Sequence, residues 1–221
     1  DSEATALIDA IDASDNDQDK AQMLLNLAEL RRDRLFQPDV ALVAFWQAVE
    51  CASPTSDVWR EAVEALEDIY TLDNDWNQLI KLLDLRIESG QEDELELYLI
   101  KGATLRSSGR LDAAVETIER ALELGERAVE LLVNVLERQG KLTRAAEQLI
   151  NGADAFGGVV GDDYRLRAAQ LLESTDPTLA VEQLSLLNNK EVRDDALDLH
   201  LRLAEQLNVF EALPDLYVRK S

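Results

Sequence analysis

The sequence predicts an all-α protein, a solenoid of about thirteen helices stacked as antiparallel pairs along the whole chain. Apolar residues recur at the helical spacings of three and four in one segment after another. Small or apolar anchor residues return at positions 41, 79, 114, 145, 180 and 213, in steps of 38, 35, 31, 35 and 33 residues. Only four prolines and nine glycines interrupt 221 residues, and no run alternates with the period of two that marks a β-strand.

The clearest repeat is the stretch from Glu94 to Gly125, which predicts two helices of about a dozen residues each, joined at Gly109. In the first helix Tyr98, Gly102 and Leu105 share one face. A mid-helix glycine costs about 1 kcal/mol relative to alanine, so Gly102 indicates the close crossing of another helix. The second helix carries an apolar stripe with small residues at the close approaches: Leu111, Ala114, Val115, Ile118, Ala121 and Leu122.

This stretch resembles a tetratricopeptide repeat (TPR), whose signature of aromatic, Leu-Gly, Tyr, Ala-x3-Phe and Pro residues spans about 34 residues. Six residues match signature positions: Tyr98, Gly102, Leu105, Ala114, Ile118 and Ala121. Lys101 departs at the leucine position, and Glu126 stands where the proline would be. The resemblance covers essentially the whole chain. It implies a right-handed superhelix whose first helices line a concave groove that takes peptides or helices.

The remaining elements follow the same pattern in chain order. A leading helix over residues 2–14 and the loop SDNDQD (14–19) precede six helix pairs. Their members begin near Lys20 and Pro38, Thr55 and Trp76, Glu94 and Leu111, Val129 and Leu142, Tyr164 and Pro177, and Val192 and Phe210. Pro38 suits the first position of a helix, and the residues Ala41, Phe45 and Ala48 reproduce Ala-x3-Phe-x2-Ala. Glu67 departs from the pattern at a close-packing position.

Residues 1–221 are predicted to form one repeat array, with an irregular, flexible break at 157–161, where the sequence reads GGVVG. The chain begins at Asp1 without Met, so we expect it to be a piece of a longer protein. The last helix is apolar all round, through Val209, Phe210, Leu213, Leu216, Tyr217 and Val218. Because terminal repeats need a polar outer face, this helix predicts self-association or a continuing array. The leading helix, with Leu7, Ile8 and Ile11, is likewise expected to lack its partner.

Charge argues against several classes of partner. The chain has 45 acidic and 22 basic residues and a net charge of −23. Nucleic acids and anionic membranes demand clustered Lys and Arg, so neither is expected as a partner, and no apolar run is long enough to insert into a membrane. The mixed charges along helix faces are typical of a solvated surface. A salt-adapted source and a surface for a basic partner are the alternatives. The cytoplasm is slightly favoured, and targeting signals would lie outside this stretch.

The residues that could carry chemistry are few. Cys51 is the single cysteine, which excludes an internal disulfide and a Cys-based metal cluster. His200 is the single histidine and is interpreted as a packed or rim residue. The acidic run 12–17 lacks the central glycine of a calcium loop. The glycines at 157–161 follow no strand and precede two aspartates, so they do not match a phosphate-binding loop. We therefore predict no enzyme activity, no cofactor and no metal.

Three tryptophans lie in the first third of the chain. Trp76 opens a second helix and is interpreted as core. Trp46 and Trp59 could be exposed anchors for a partner, since tryptophan is enriched at binding hot spots. Packing between adjacent repeats is the favoured interpretation.

The resemblance implies a partner groove lined by the first helices. Its candidate residues are Glu61, Glu64 and Asp68 near one end, and Arg106, Asn134, Arg138, Arg165 and Arg202 further along. The Lys/Asn carboxylate clamp of chaperone-binding TPR proteins is not found, because Glu130 occupies the position beside Asn134.

The predicted function is that of a non-enzymatic scaffold or adaptor that binds a protein or peptide partner in the groove. The alternatives are a structural segment of a larger repeat protein without its own ligand, and a regulatory sensor arm of an enzyme or transcription regulator.

Overall fold

The computed structural model describes residues 2–187 and 194–209. Over those residues the chain is helical with no strand, so the all-α prediction is confirmed. Twelve α-helices appear there, with the following bounds: α1 Ser2–Ala13, α2 Asp17–Glu29, α3 Pro38–Cys51, α4 Asp57–Asp73, α5 Trp76–Ser89, α6 Glu94–Ser107, α7 Leu111–Glu119, α8 Glu126–Arg138, α9 Leu142–Phe156, α10 Gly158–Leu172, α11 Pro177–Ser185 and α12 Asp194–Gln206. The thirteenth predicted helix, with Leu213 and Leu216, lies outside the described residues.

The chain divides into two compact units, residues 1–108 with α1 to α6 and residues 109–221 with α7 to α12. Within each unit, helices that follow one another in sequence pack together. The prediction of one continuous array stays a prediction. The repeat with the clearest signature contributes α6 to the first unit and α7 to the second, and Gly102 is buried within α6.

Helix starts in the first unit follow from local capping. The Asn16 side-chain oxygen accepts a hydrogen bond from the Gln18 backbone N–H at 2.9 Å, so α2 begins at Asp17. The predicted loop of residues 14–19 is therefore wrong in its second half, which is already helical. Ser56 caps α4 in the same way through the Trp59 N–H, at 3.2 Å.

The core of the first unit is built from the predicted anchors. Ala41, Phe45 and Ala48 are fully buried. Trp59 is 3% exposed, and the Trp46 indole N–H donates to the Tyr70 hydroxyl at 2.5 Å. The packing interpretation of these two tryptophans is thus confirmed.

The leading helix α1 does not lack a partner, contrary to expectation. Ala4 is buried against Leu27 and Leu30 of the next helical segment, with Leu7 packed against the same cluster. An amphipathic helix buries its apolar stripe wherever a neighbouring stripe is offered, and α2 offers one. Ile8 lies outside this contact and is exposed.

The connection from α2 to α3 has an unusual backbone. Leu30–Arg34 continues α2 as a π-helical turn, in which the Leu35 N–H donates to the Leu30 carbonyl at 3.1 Å. Phe36 then adopts a left-handed conformation with φ of 53°. Its side chain is 82% exposed. The sequence predicts an ordinary helix that ends at Leu35.

In the second unit the alanine anchors Ala114, Ala145 and Ala180 are fully buried. The predicted flexible break over 157–161 is wrong, because α9 ends at Phe156 and α10 begins at Gly158. A Cβ on Gly161 would lie 2.9 Å from the Ala153 backbone oxygen. These glycines therefore provide a one-residue turn and a close crossing of two helices.

Candidate functional site

Helix α4 has two faces of opposite character. Val58, Trp59, Ala62, Val63, Leu66 and Tyr70 form its buried side. The predicted groove residues Glu61, Glu64 and Asp68 follow at helical spacings on the other side, and all three are exposed. None of the three forms an ion pair with a described residue. The row therefore presents three exposed carboxylates without an ion pair on a helix that the core holds in place, and Asp68 also acts electrostatically on the nearby Arg32.

A pocket of about 230 Å³ opens beside this row. It lies where the α3–α4 connection, the first half of α4, the end of α5 and the α5–α6 connection meet. Pro54, Trp59 and Val63 supply its apolar surface, and Glu64 and Glu92 supply carboxylates. Glu64 thus belongs both to the exposed row and to the pocket.

The pocket is also lined by Arg86 of α5, a buried arginine that is only 9% exposed. Its Nε donates to Glu92 at 2.8 Å, its Nη2 donates to the same carboxylate, and its Nη1 donates to Glu67. The hydrogen bonds with Glu92 and the charge of Glu67 raise the pKa of Arg86, although burial opposes them. One guanidinium and two carboxylates leave this cluster with a net charge of −1.

Sequence reasoning missed Arg86, although one signal pointed to it. Glu67 occupies a position where the repeat pattern places a small residue, which indicated an unusual contact on α4. The partner lies 19 residues away on α5, and nothing in the sequence pattern singles it out.

The remaining predicted groove residues are placed as follows. Arg106 is half-buried on α6 of the first unit, and its Nε has no hydrogen-bond partner among the described residues. Asn134 and Arg138 are exposed on α8 of the second unit, where the Asn134 side chain donates to the Glu130 carbonyl of its own helix at 2.9 Å. The Asn134 side-chain amide is therefore already hydrogen-bonded to the backbone of its own helix.

Arg165 and Arg202, also of the second unit, are engaged in ion pairs. Arg165 binds Asp154 at 2.5 Å and the Gln183 side chain at 2.8 Å, and its own side chain is mostly buried. Arg202 pairs with Glu173 at 2.7 Å. Of the eight predicted residues, the three on α4 form a continuous exposed row of carboxylates within one unit.

The two residues considered for catalysis or metal binding, His200 and Cys51, belong to different units. His200 is buried, with its Nε2 3.5 Å from the Ser185 hydroxyl, as the packed interpretation predicted. Cys51 is half-buried against the core of the first unit. In the part of the chain that the structure describes, no group of three or more His, Cys, Asp or Glu residues is placed to hold a metal ion. None of the described helices is both long enough and apolar enough to cross a bilayer.

The signature residues of α6 and α7 predict helices that pack in consecutive pairs around anchors about 34 residues apart. The described helices have this arrangement. The fold is TPR-like. No family model and no curated protein matches the chain.

Three solved structures align with most of this chain. YrrB, described as a TPR protein with an unusual peptide-binding site, is 20% identical at a TM-score of 0.47, over 93% of this chain and 98% of that chain. MamA is 13% identical at a TM-score of 0.49, over 72% of this chain and 87% of that chain. PilF of Pseudomonas aeruginosa is 18% identical at a TM-score of 0.45, over 91% of each chain.

Proposed function

We propose that this chain is a non-enzymatic protein-interaction module that binds a basic peptide or helix along the exposed face of α4. The observation that carries the proposal is the row of Glu61, Glu64 and Asp68, which are exposed and form no ion pair with a described residue. The opposite side of α4 is buried in the core. A rigid surface loses little conformational entropy when a partner binds, so more of the contact energy appears as affinity.

Charge complementarity favours a basic protein segment over the other partners. The chain carries a net charge of −23, which repels the phosphates of nucleic acid and the anionic surface of a membrane. Cationic peptides are attracted by the same field, and their encounter with the carboxylate row is accelerated. The proposal therefore includes neither a nucleic-acid partner nor membrane insertion.

The test measures binding of a fluorescein-labelled amphipathic 15-residue peptide that carries lysines along one face, at low and at physiological salt. We expect saturable binding that weakens as salt is added. A peptide with glutamates in place of the lysines, and duplex DNA, serve as negative probes and should not bind.

A charge-matched pair of variants locates the site. The triple variant Glu61→Lys, Glu64→Lys, Asp68→Lys should lower affinity for the lysine peptide by at least about tenfold, since three close charge pairs each contribute up to ~1 kcal/mol. The control Glu50→Lys, Glu88→Lys, Glu116→Lys reverses three exposed carboxylates elsewhere and changes net charge equally. Equal losses in the two variants would reduce the row to a solubilising surface, which is the role expected of a structural segment.

A further inference from the structure

We infer that the pocket beside Glu64 is a subsite for one basic side chain, arginine or lysine, of the bound partner. The inference rests on the proposed function and deepens it, because Glu64 belongs to both the row and the pocket. It assigns the class of side chain that the partner must place at one defined position.

The size of the pocket selects a side chain rather than a free cofactor. Its volume of about 230 Å³ lies below the roughly 300–1,000 Å³ of sites that enclose drug-sized ligands. It opens to solvent beside an exposed helix face, where a bound peptide would run. One long side chain that reaches inward from such a peptide is the ligand that fits.

The chemistry of the walls selects a side chain with an apolar stem and a cationic head. Trp59 and Val63 form the apolar floor, and Pro54 lies at the α3–α4 connection. Lysine and arginine lay their methylene stems along such surfaces while the charged head stays among polar groups. Glu64 lines the same pocket and provides carboxylate oxygens for that head, while Glu92, also in the lining, is already bound by Arg86.

The charge balance excludes an anion. Two arginines line the pocket, but each is already satisfied: Arg60 binds Asp57 at 2.5 Å, and Arg86 is held by Glu67 and Glu92. Counting these counter-ions together with Glu64, two positive charges face four negative ones. The pocket and its immediate neighbours therefore carry a net charge of −2, and Glu64 is the carboxylate that forms no ion pair with a described residue. An entering anion would have to displace an existing ion pair.

The experiment records ¹H–¹⁵N correlation spectra of the full chain titrated with three probes: the N-acetyl, N-methylamide derivatives of arginine, norleucine and glutamate. We expect the arginine derivative alone to produce saturable shifts at Thr55, Ser56, Trp59 and Glu92. Its dissociation constant should be about millimolar, which corresponds to roughly 0.3 kcal/mol for each heavy atom of a ligand this small.

Two single variants provide the matched control. Glu64→Gln should weaken binding of the arginine derivative roughly fivefold (~1 kcal/mol). Glu61→Gln lies one turn away on the same exposed face but does not line the pocket, and should change the dissociation constant by less than about twofold. Both side chains are exposed, so neither change removes a buried contact.

Each other outcome of the titration with the three derivatives overturns the subsite. Equal binding of the norleucine derivative would make the pocket merely apolar, preferential binding of the glutamate derivative would make it an anion site, and absence of shifts with all three would exclude a side-chain subsite. If the lysine peptide binds and loses affinity in the triple variant while the arginine derivative produces no shifts, the proposed function stands and the subsite is wrong. If the derivative binds while the peptide does not, the subsite stands without the peptide-binding surface.

Discussion

Arg86 of α5 donates hydrogen bonds to Glu67 of α4 and, through two further nitrogens, to Glu92 in the connection to α6. This relationship explains why a glutamate occupies a close-packing position on α4. A small residue there would leave the guanidinium with one carboxylate fewer in a buried environment, where an unpaired charge is costly. The departure from the repeat pattern and the buried arginine are two parts of one interaction.

Replacing Arg86 with leucine should lower the free energy of unfolding by about 2–3 kcal/mol. Removal of one partner from a buried pair costs up to ~3–5 kcal/mol, and the partial exposure of the Glu67 and Glu92 side chains, at 26% and 32%, reduces that figure. Urea denaturation monitored by circular dichroism measures the change. Arg144→Leu is the control, because Arg144 pairs with Glu119 at a position where both side chains are well exposed, and it should cost less than about 1 kcal/mol. If the two variants were equally stable, the Arg86 cluster would have no structural role.

Substitution of Gly161 by alanine should destabilise the second unit by about 1–3 kcal/mol, even though alanine is the better helix former. The added Cβ would lie 2.9 Å from a backbone oxygen of Ala153, and backbone yields less readily than a side chain. Gly152→Ala is the comparison, since its Cβ would meet the Tyr164 ring at 3.0 Å, and a ring can shift. Thermal unfolding should rank the parent above Gly152→Ala and Gly152→Ala above Gly161→Ala. A Gly161→Ala protein more stable than its parent would contradict the close crossing.

Much of this fold could be predicted from the sequence, because the local spacing of apolar residues shows which face of each helix packs against its neighbour. Anchors such as Ala41, Ala114 and Ala180 are small where two helices cross, and their spacing alone identified the pairs. The glycines at 157–161 were predicted to form a flexible break, and this was wrong because a glycine-rich sequence is compatible with two different structures. Glycine is used both for flexible connections and for close helix contacts, and only the neighbouring helix α9 distinguishes them.

The candidate site also has a part that the sequence could predict and a part that it could not. Glu61, Glu64 and Asp68 could be placed on one exposed face from spacing alone, since helical phase is a local property. The pocket could not be predicted, because it forms where two connections and two helices meet and depends on how Arg86 is held. Arg165 was expected on an open surface, yet Asp154 and Gln183 engage it. Ion pairs between separate helices leave no periodic signal in a sequence.

Phe36 offers a test of backbone strain in the α2–α3 connection. A left-handed conformation costs a residue with a Cβ roughly 1–2 kcal/mol, whereas glycine adopts it freely. The side chain is 82% exposed, so little buried surface is lost on truncation. Phe36→Gly should therefore be more stable than Phe36→Ala by about 1 kcal/mol in urea denaturation. The opposite order would mean that φ of 53° is not the conformation this residue holds in solution.

Tyr164 is a buried ionisable group whose surroundings disfavour its charged form. It is 4% exposed, its hydroxyl donates to the Glu126 carbonyl at 3.5 Å, and its ring meets Phe156 edge to face with centroids 6.5 Å apart. Burial, followed by the charges of Glu130 and Glu126, raises the pKa of Tyr164 to about 12. The phenolate is therefore harder to form in the folded chain than in the unfolded chain.

This difference predicts a specific loss of stability at alkaline pH. The unfolded tyrosine ionises near pH 10, so its contribution to folding is complete below that pH and is lost as pH rises towards 12. Tyr164→Phe cannot ionise, and the gap in unfolding free energy between parent and variant should shift in favour of the variant by on the order of 1–2 kcal/mol across this window. Urea denaturation at pH 8, 10 and 11.5 measures the gap, and tyrosinate absorbance at about 295 nm should lose its highest-pH component in the variant. A gap that stays constant from pH 8 to 11.5 would mean that Tyr164 titrates as an exposed tyrosine does, and that α10 does not bury it against α9.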